Sequence, residues 1–135
     1  MDNDLLFNVD GFVRGSMGSG GIGGVLRNAC GKVLCLFSSF VGFVDPIVAE
    51  LLAIHKACVL ISTCQLLDDR NIAILSDSES VVAWINRDGF GLLSQVNLIY
   101  DIRQILRPRR SLVVKFTPRG SNLLADSLAK AGSNM

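Results

Sequence analysis

The chain has 135 residues, half of them hydrophobic, with 13 basic and 12 acidic side chains and a formal net charge of +1. That length suits a single domain, 1–135, with a real core, and no apolar run approaches the ~20 residues of a bilayer crossing. An acidic start, Met1 to Asp4, argues against a secretory leader, so the reading is an intracellular protein of nucleus or cytoplasm, monomeric and without a membrane partner.

Cys30, Cys35, Cys58 and Cys64 show no CxxC spacing and sit mostly in hydrophobic runs, which predicts small buried apolar residues, not a disulfide or zinc framework. The small net charge hides an asymmetry. Through residue 102 there are 6 basic and 11 acidic side chains; beyond it there are 7 basic and 1 acidic. A basic final third, carried by Arg103, Arg107, Arg109, Arg110, Lys115, Arg119 and Lys130, suits either a polyanion or an ordinary solvated surface.

In chain order, Leu5 to Phe12 alternates, with Leu5, Phe7 and Val9 on one face and Asn8 and Asp10 on the other, and reads as a strand. Ile22 to Asn28 and Lys32 to Phe40 follow as two more strands of an antiparallel meander, joined by a short turn that ends in glycine. Asp45-Pro46 reads as an N-cap with proline at the first helical position. It opens a helix with apolar residues at 47, 51, 54, 58 and 61 that ends near Cys64. Asn71 to Asp77 is charge-free until its last residue, as a central parallel strand should be. Ser78 to Asn86 reads as a short helix, interrupted by Gly89 and Gly91 before a longer one from about Leu93 to Leu106. Strand Leu112 to Thr117 and helix Asn122 to Ala131 complete the order βββαβααβα, an α/β mixed sheet with helices on its faces.

Four acids stand out from this pattern. Asp10 comes from a strand, and Asp77 closes one that looks buried, although helix capping alone is a sufficient account of Asp77. Glu50 lies on or beside the apolar stripe of the first helix, and Asp126 lies near a packing face containing Leu124 and Leu128. Sites in open α/β sheets form beyond the carboxyl ends of parallel strands, where Asp10 and Asp77 converge if their strands are neighbours. Four clustered carboxylates repel one another and are tolerated mainly around divalent cations. Hard oxygen ligands favour Mg²⁺ or Mn²⁺, and a pair of such ions suits phosphodiester hydrolysis.

The segments Asn8-Val9-Asp10-Gly11, Ala49-Glu50-Leu51, Ser76-Asp77-Ser78 and Asn122-Leu-Leu-Ala-Asp126-Ser-Leu-Ala-Lys130, with a glycine-rich hairpin between the first two, resemble the ribonuclease H family. The likeness is particularly to the reverse-transcriptase-like domains of plant retroelements and their domesticated relatives, and it runs from about Leu6 to Ala131. The resemblance implies a five-stranded sheet in the order 3-2-1-4-5, two Mg²⁺ ions replaceable by Mn²⁺, and cleavage of RNA paired with DNA. By the same resemblance Asp10 bridges both ions, Glu50 and Asp77 serve one and Asp126 the other. Gly11, Ser16, Arg119 and Asn122 would meet the nucleic acid.

Two departures temper it. Many relatives carry a flexible histidine where this chain has Phe116, and the sole histidine, His55, sits inside the first helix. No basic insertion for gripping a hybrid is visible. The sequence therefore leaves two functions open: an active endoribonuclease on RNA/DNA hybrids, or a catalytically weak or silent module that binds nucleic acid or protein. Gly18 to Gly23 formally fits GxGxxG, but a strand follows it, so it reads as a hairpin loop and not a nucleotide cradle. Trp84 reads as core, and Arg107, Arg109 and Arg110 suit either phosphate contacts or a solvated loop.

Overall fold

The computed structural model describes residues 4–15, 18–87 and 95–135. Its strands are β1 Leu5–Val13, β2 Gly18–Asn28, β3 Val33–Val44, β4 Ile72–Ser76 and β5 Leu112–Phe116. Its helices are α1 Pro46–Ser62, α2 Glu79–Asn86, α3 Val96–Leu106 and α4 Leu123–Gly132, with 3₁₀ turns at Gln65–Leu67 and Arg119–Ser121. The expected Ser16 contact, the break at Gly89 and Gly91 and the start of α3 near Leu93 fall outside the described residues. Among those described, no helix is long and apolar enough to cross a membrane.

The five strands form one mixed sheet in the order β3-β2-β1-β4-β5, as the resemblance implied. β1 runs antiparallel to β2 and parallel to β4, and β4 runs parallel to β5, so the carboxyl ends of β1 and β4 lie side by side. The alternation in β1 sends Leu5, Phe7 and Val9 into the core, where the Phe7 ring meets Phe37 at 5.9 Å between centroids. Leu51, Ile54, Cys58 and Ile61 of α1 cover that face, with α3 behind them through Ile99 and Ile102. Asp45 caps α1 as expected, accepting the Val48 N–H at 2.9 Å, a contribution of about 1 kcal/mol.

β2 is longer than its β-forming residues suggested. The stretch Gly18 to Gly23, expected to be a loop, is strand from Gly18 onward, and the reason lies on the opposite face of the sheet. There α4 crosses so closely that a Cβ on Gly21 or Gly23 would run into backbone atoms of Ala129, and only hydrogen fits. Accordingly α4 buries Ala125, Ala129 and Gly132; of the two leucines expected to pack, Leu128 is half-buried against Gly23 while Leu124 stays exposed. Small residues on both partners replace bulky interdigitation with short backbone separation.

Two further expectations change. Cys30 and Cys35 are exposed and Cys64 is half-buried, so only Cys58 behaves as a core residue. Arg103 is buried, not part of a basic surface: its guanidinium donates to the carbonyls of Trp84, Ile85 and Arg87, which α2 leaves unpaired at its end. Arg109 lies 3.3 Å from Asp68, a local partner for one of the arginines that the sequence left between phosphate contact and solvated loop.

Candidate metal centre

Asp10 sits on β1 opposite Gly23 of β2, and Asp77 follows the last residue of β4, so the parallel pairing of these strands delivers both carboxylates to one end of the sheet. Glu50 arrives from the second turn of α1. Its approach depends on Gly11, where any Cβ would strike the Ala49 and Glu50 backbone. With that clearance, the Gly11 N–H donates to Glu50 Oε1 at 2.8 Å, and the Ser76 hydroxyl donates to Oε2 at 3.3 Å. Both oxygens of the glutamate are thereby oriented.

Carboxylate oxygens of Asp10, Glu50 and Asp77 lie within 4.8 Å of one another. Asp10 is only 4 % exposed, and among the described residues neither it nor Glu50 forms an ion pair. Burial, reinforced by Glu50 and Asp77, pushes the Asp10 carboxyl up to about 10. Burial also raises Glu50, although its bonds from Asp10, Gly11 and Ser76 work in the opposite direction. A buried and a half-buried acid, both raised by desolvation and presenting only oxygen donors, fit a hard divalent cation. Asp77 does not cap α2. Ser78 holds the N-cap position, and Asp77 instead faces Arg119, whose Nε is 3.8 Å away.

Asp126 lies outside that close triad but lines the same hollow as Asp10 and Glu50. Burial opposes its charge, yet the Lys130 ammonium, 2.9 Å away, holds it below the ordinary carboxylate range, with help from Asp10 and Arg119. The structure therefore gathers all four expected acids around one end of the sheet, as a triad with a flanking fourth.

Among the residues expected at a nucleic acid, Gly11 and Arg119 border the hollow, and the Arg119 side chain is 86 % exposed. Asn122 is a correction. It is 1 % exposed, accepts from Asn8 Nδ2 at 2.9 Å and donates to the Val9 carbonyl at 2.8 Å, so its amide ties α4 to β1 and is not presented to a strand. Ser76, Asn8 and the Asp126 partner Lys130 stand in the sequence only as parts of motifs or of the basic final third, with no role at the site assigned to them. Asn8 carried a signal, being polar on a buried strand two residues before Asp10, whereas the Ser76 contact depends on tertiary placement alone. His55 lines a separate groove with Leu52, Val59 and Phe40.

Residues 8–132 match the family described as reverse transcriptase-like. No curated protein sequence matches the chain. Among solved structures, LC11-RNase H1, isolated from compost by a metagenomic approach, is 27% identical with a TM-score of 0.88, over 98% of this chain and 97% of that one. The same enzyme crystallised with an RNA/DNA hybrid aligns at 26% identity and a TM-score of 0.86, over 96% of each chain. RNase H1 from the halophilic archaeon Halobacterium salinarum shares the fold at 21% identity and a TM-score of 0.85, covering 96% of this chain and 97% of that one. With the sheet order, the acidic cluster and a family match spanning nearly its whole length, the chain belongs to the reverse transcriptase-like family of ribonuclease H proteins.

Proposed function

We propose that the chain is a metal-dependent endoribonuclease that hydrolyses the RNA strand of RNA/DNA hybrids. The observation that carries this reading is the triad of Asp10, Glu50 and Asp77 at the carboxyl ends of two parallel strands, in which buried Asp10 and half-buried Glu50 have no ion-pair partner among the described residues. The hybrid bound by LC11-RNase H1, a relative of matching fold, supports the substrate class.

Asp10, Glu50 and Asp77 would hold one Mg²⁺, and Asp10 with Asp126 a second, with Mn²⁺ as a substitute. When bound, such a pair supplies a water nucleophile and neutralises charge on the leaving oxygen of a phosphodiester. The protein's own share is positioning. Gly11 and Ser76 fix the two oxygens of Glu50, and the Asn8–Asn122 pair holds α4, and with it Asp126, against β1. Arg119, exposed at the rim, offers its guanidinium to a backbone phosphate, and the backbone at Gly11 borders the same hollow, where the RNA strand's sugar hydroxyls distinguish it from DNA.

Phe116, exposed at the end of β5 in the position where, by the family resemblance, many relatives carry a histidine, favours slower turnover and gives a binding module its best support. Incubation with a hybrid labelled on its RNA strand separates the two. Metal-dependent cuts in the RNA, absent with Asp10→Asn, are expected; intact RNA from folded wild-type protein that still retains the hybrid would favour the binding module.

A further inference from the structure

The charges around the acidic hollow are unevenly balanced. Asp10 and Glu50 have no ion-pair partner among the described residues, whereas Asp126 has Lys130, one helical turn later, with Nζ 2.9 Å from Oδ2. The same ammonium lies 5.6 Å from the centroid of the Phe12 ring. Phe12, Asp10, Asp126 and Lys130 all line one hollow of about 380 Å³. A half-exposed pair at this spacing is usually weak and mobile, but a carboxylate on one side and an aromatic face on the other restrain this ammonium from two directions.

We propose that Lys130 is a tethered counter-cation for Asp126, a positioning residue that sets how tightly the Asp126 side of the cluster takes a divalent cation. This rests on the metal-centre reading above. A cation approaching Asp126 competes for the oxygen that Lys130 holds, and the ammonium's charge opposes its arrival. Asp10 and Glu50 have no such competitor among the described residues, and Asp77 faces only the looser, exposed Arg119, 3.8 Å away against 2.9 Å for Lys130 on Asp126. The Phe12 ring gives the displaced ammonium a second anchor, so the lysine is moved aside without losing every partner.

The test is isothermal titration calorimetry of the full chain with Mn²⁺ alone, comparing wild type, Lys130→Met and Lys130→Arg, each checked for fold by circular dichroism. Two classes of site are expected in the wild type. Lys130→Met should tighten the weaker class by about 3- to 10-fold and leave the tighter class within about 2-fold, while Lys130→Arg restores wild-type behaviour. An unchanged or weakened second affinity in folded Lys130→Met overturns the proposal alone, and so does an equal change in Lys130→Arg. Absence of Mn²⁺ binding in the wild type overturns the metal-centre reading, and this proposal with it.

Discussion

Replacing Asp10 with asparagine should stabilise the protein in metal-free buffer, the reverse of what removing a buried hydrogen-bonding acid usually does. Asp10 is 4 % exposed and faces Glu50 and Asp77 with no cation against it, and burial with those neighbours raises its carboxyl to about 10. Because the folded value lies above the unfolded value of about 3.9, the stability associated with this group is complete below pH ~4 and is lost as pH rises towards ten. At pH 7 the wild type must either hold a proton there or bury a repelled charge. An isosteric amide removes that charge-state penalty, of about 1 to 3 kcal/mol on the scale of a poorly compensated buried polar group. For a chain of this length that corresponds to a rise in Tm of roughly 4 to 12 °C. The assay is thermal melting in chelator from pH 5 to 9: wild-type Tm should fall with pH more steeply than that of Asp10→Asn. Excess Mn²⁺ at about 100 times Kd should then stabilise the wild type by about 2.7 kcal/mol and leave the variant little changed. A variant less stable than wild type in chelator at pH 7 would refute the reasoning, since it would mean that Asp10 is already well partnered as an anion.

Further outcomes follow from the packing around the site. Gly23→Val should destabilise by about 3 kcal/mol or more in denaturant titration, because the backbone of α4 has no room to yield to a Cβ. Asn122→Ala should lower stability by about 1 to 3 kcal/mol, since the Val9 carbonyl loses its side-chain donor and Asn8 keeps only the Ser121 carbonyl, and should slow cleavage through misplacement of Asp126. Phe116→His should raise kcat on a hybrid by roughly 10-fold, with little change in Tm, since the side chain is exposed.

Much of the fold could be read from the chain because its periodicities are clean: β1 alternates, Asp45-Pro46 opens α1, and the apolar run before Asp77 is a central parallel strand. The first half of β2 was hidden for a physical reason. Glycines carry no β-propensity, and their value here lies in the contact they permit with α4, which only the tertiary structure reveals. The same close crossing explains why the alanines of α4 are buried while Leu124, expected on the packing face, stays exposed. For the site, the four acids were legible by spacing and family likeness, but side-chain commitments were not. Asn122 and Arg103 look like surface contacts in the sequence, and both turn out to satisfy buried backbone or amide groups. Lys130 stood among the basic residues of the final third, and only its distance to Asp126 connects it to the cluster.

The most direct test of the central claim, that Asp10, Glu50 and Asp77 form a divalent-cation site, is anomalous diffraction from crystals grown with Mn²⁺. The account predicts an anomalous peak bonded to oxygens of all three carboxylates, with a weaker second peak between Asp10 and Asp126. Well-ordered carboxylates with no anomalous peak among them, at a manganese concentration that occupies other surface sites, would contradict it.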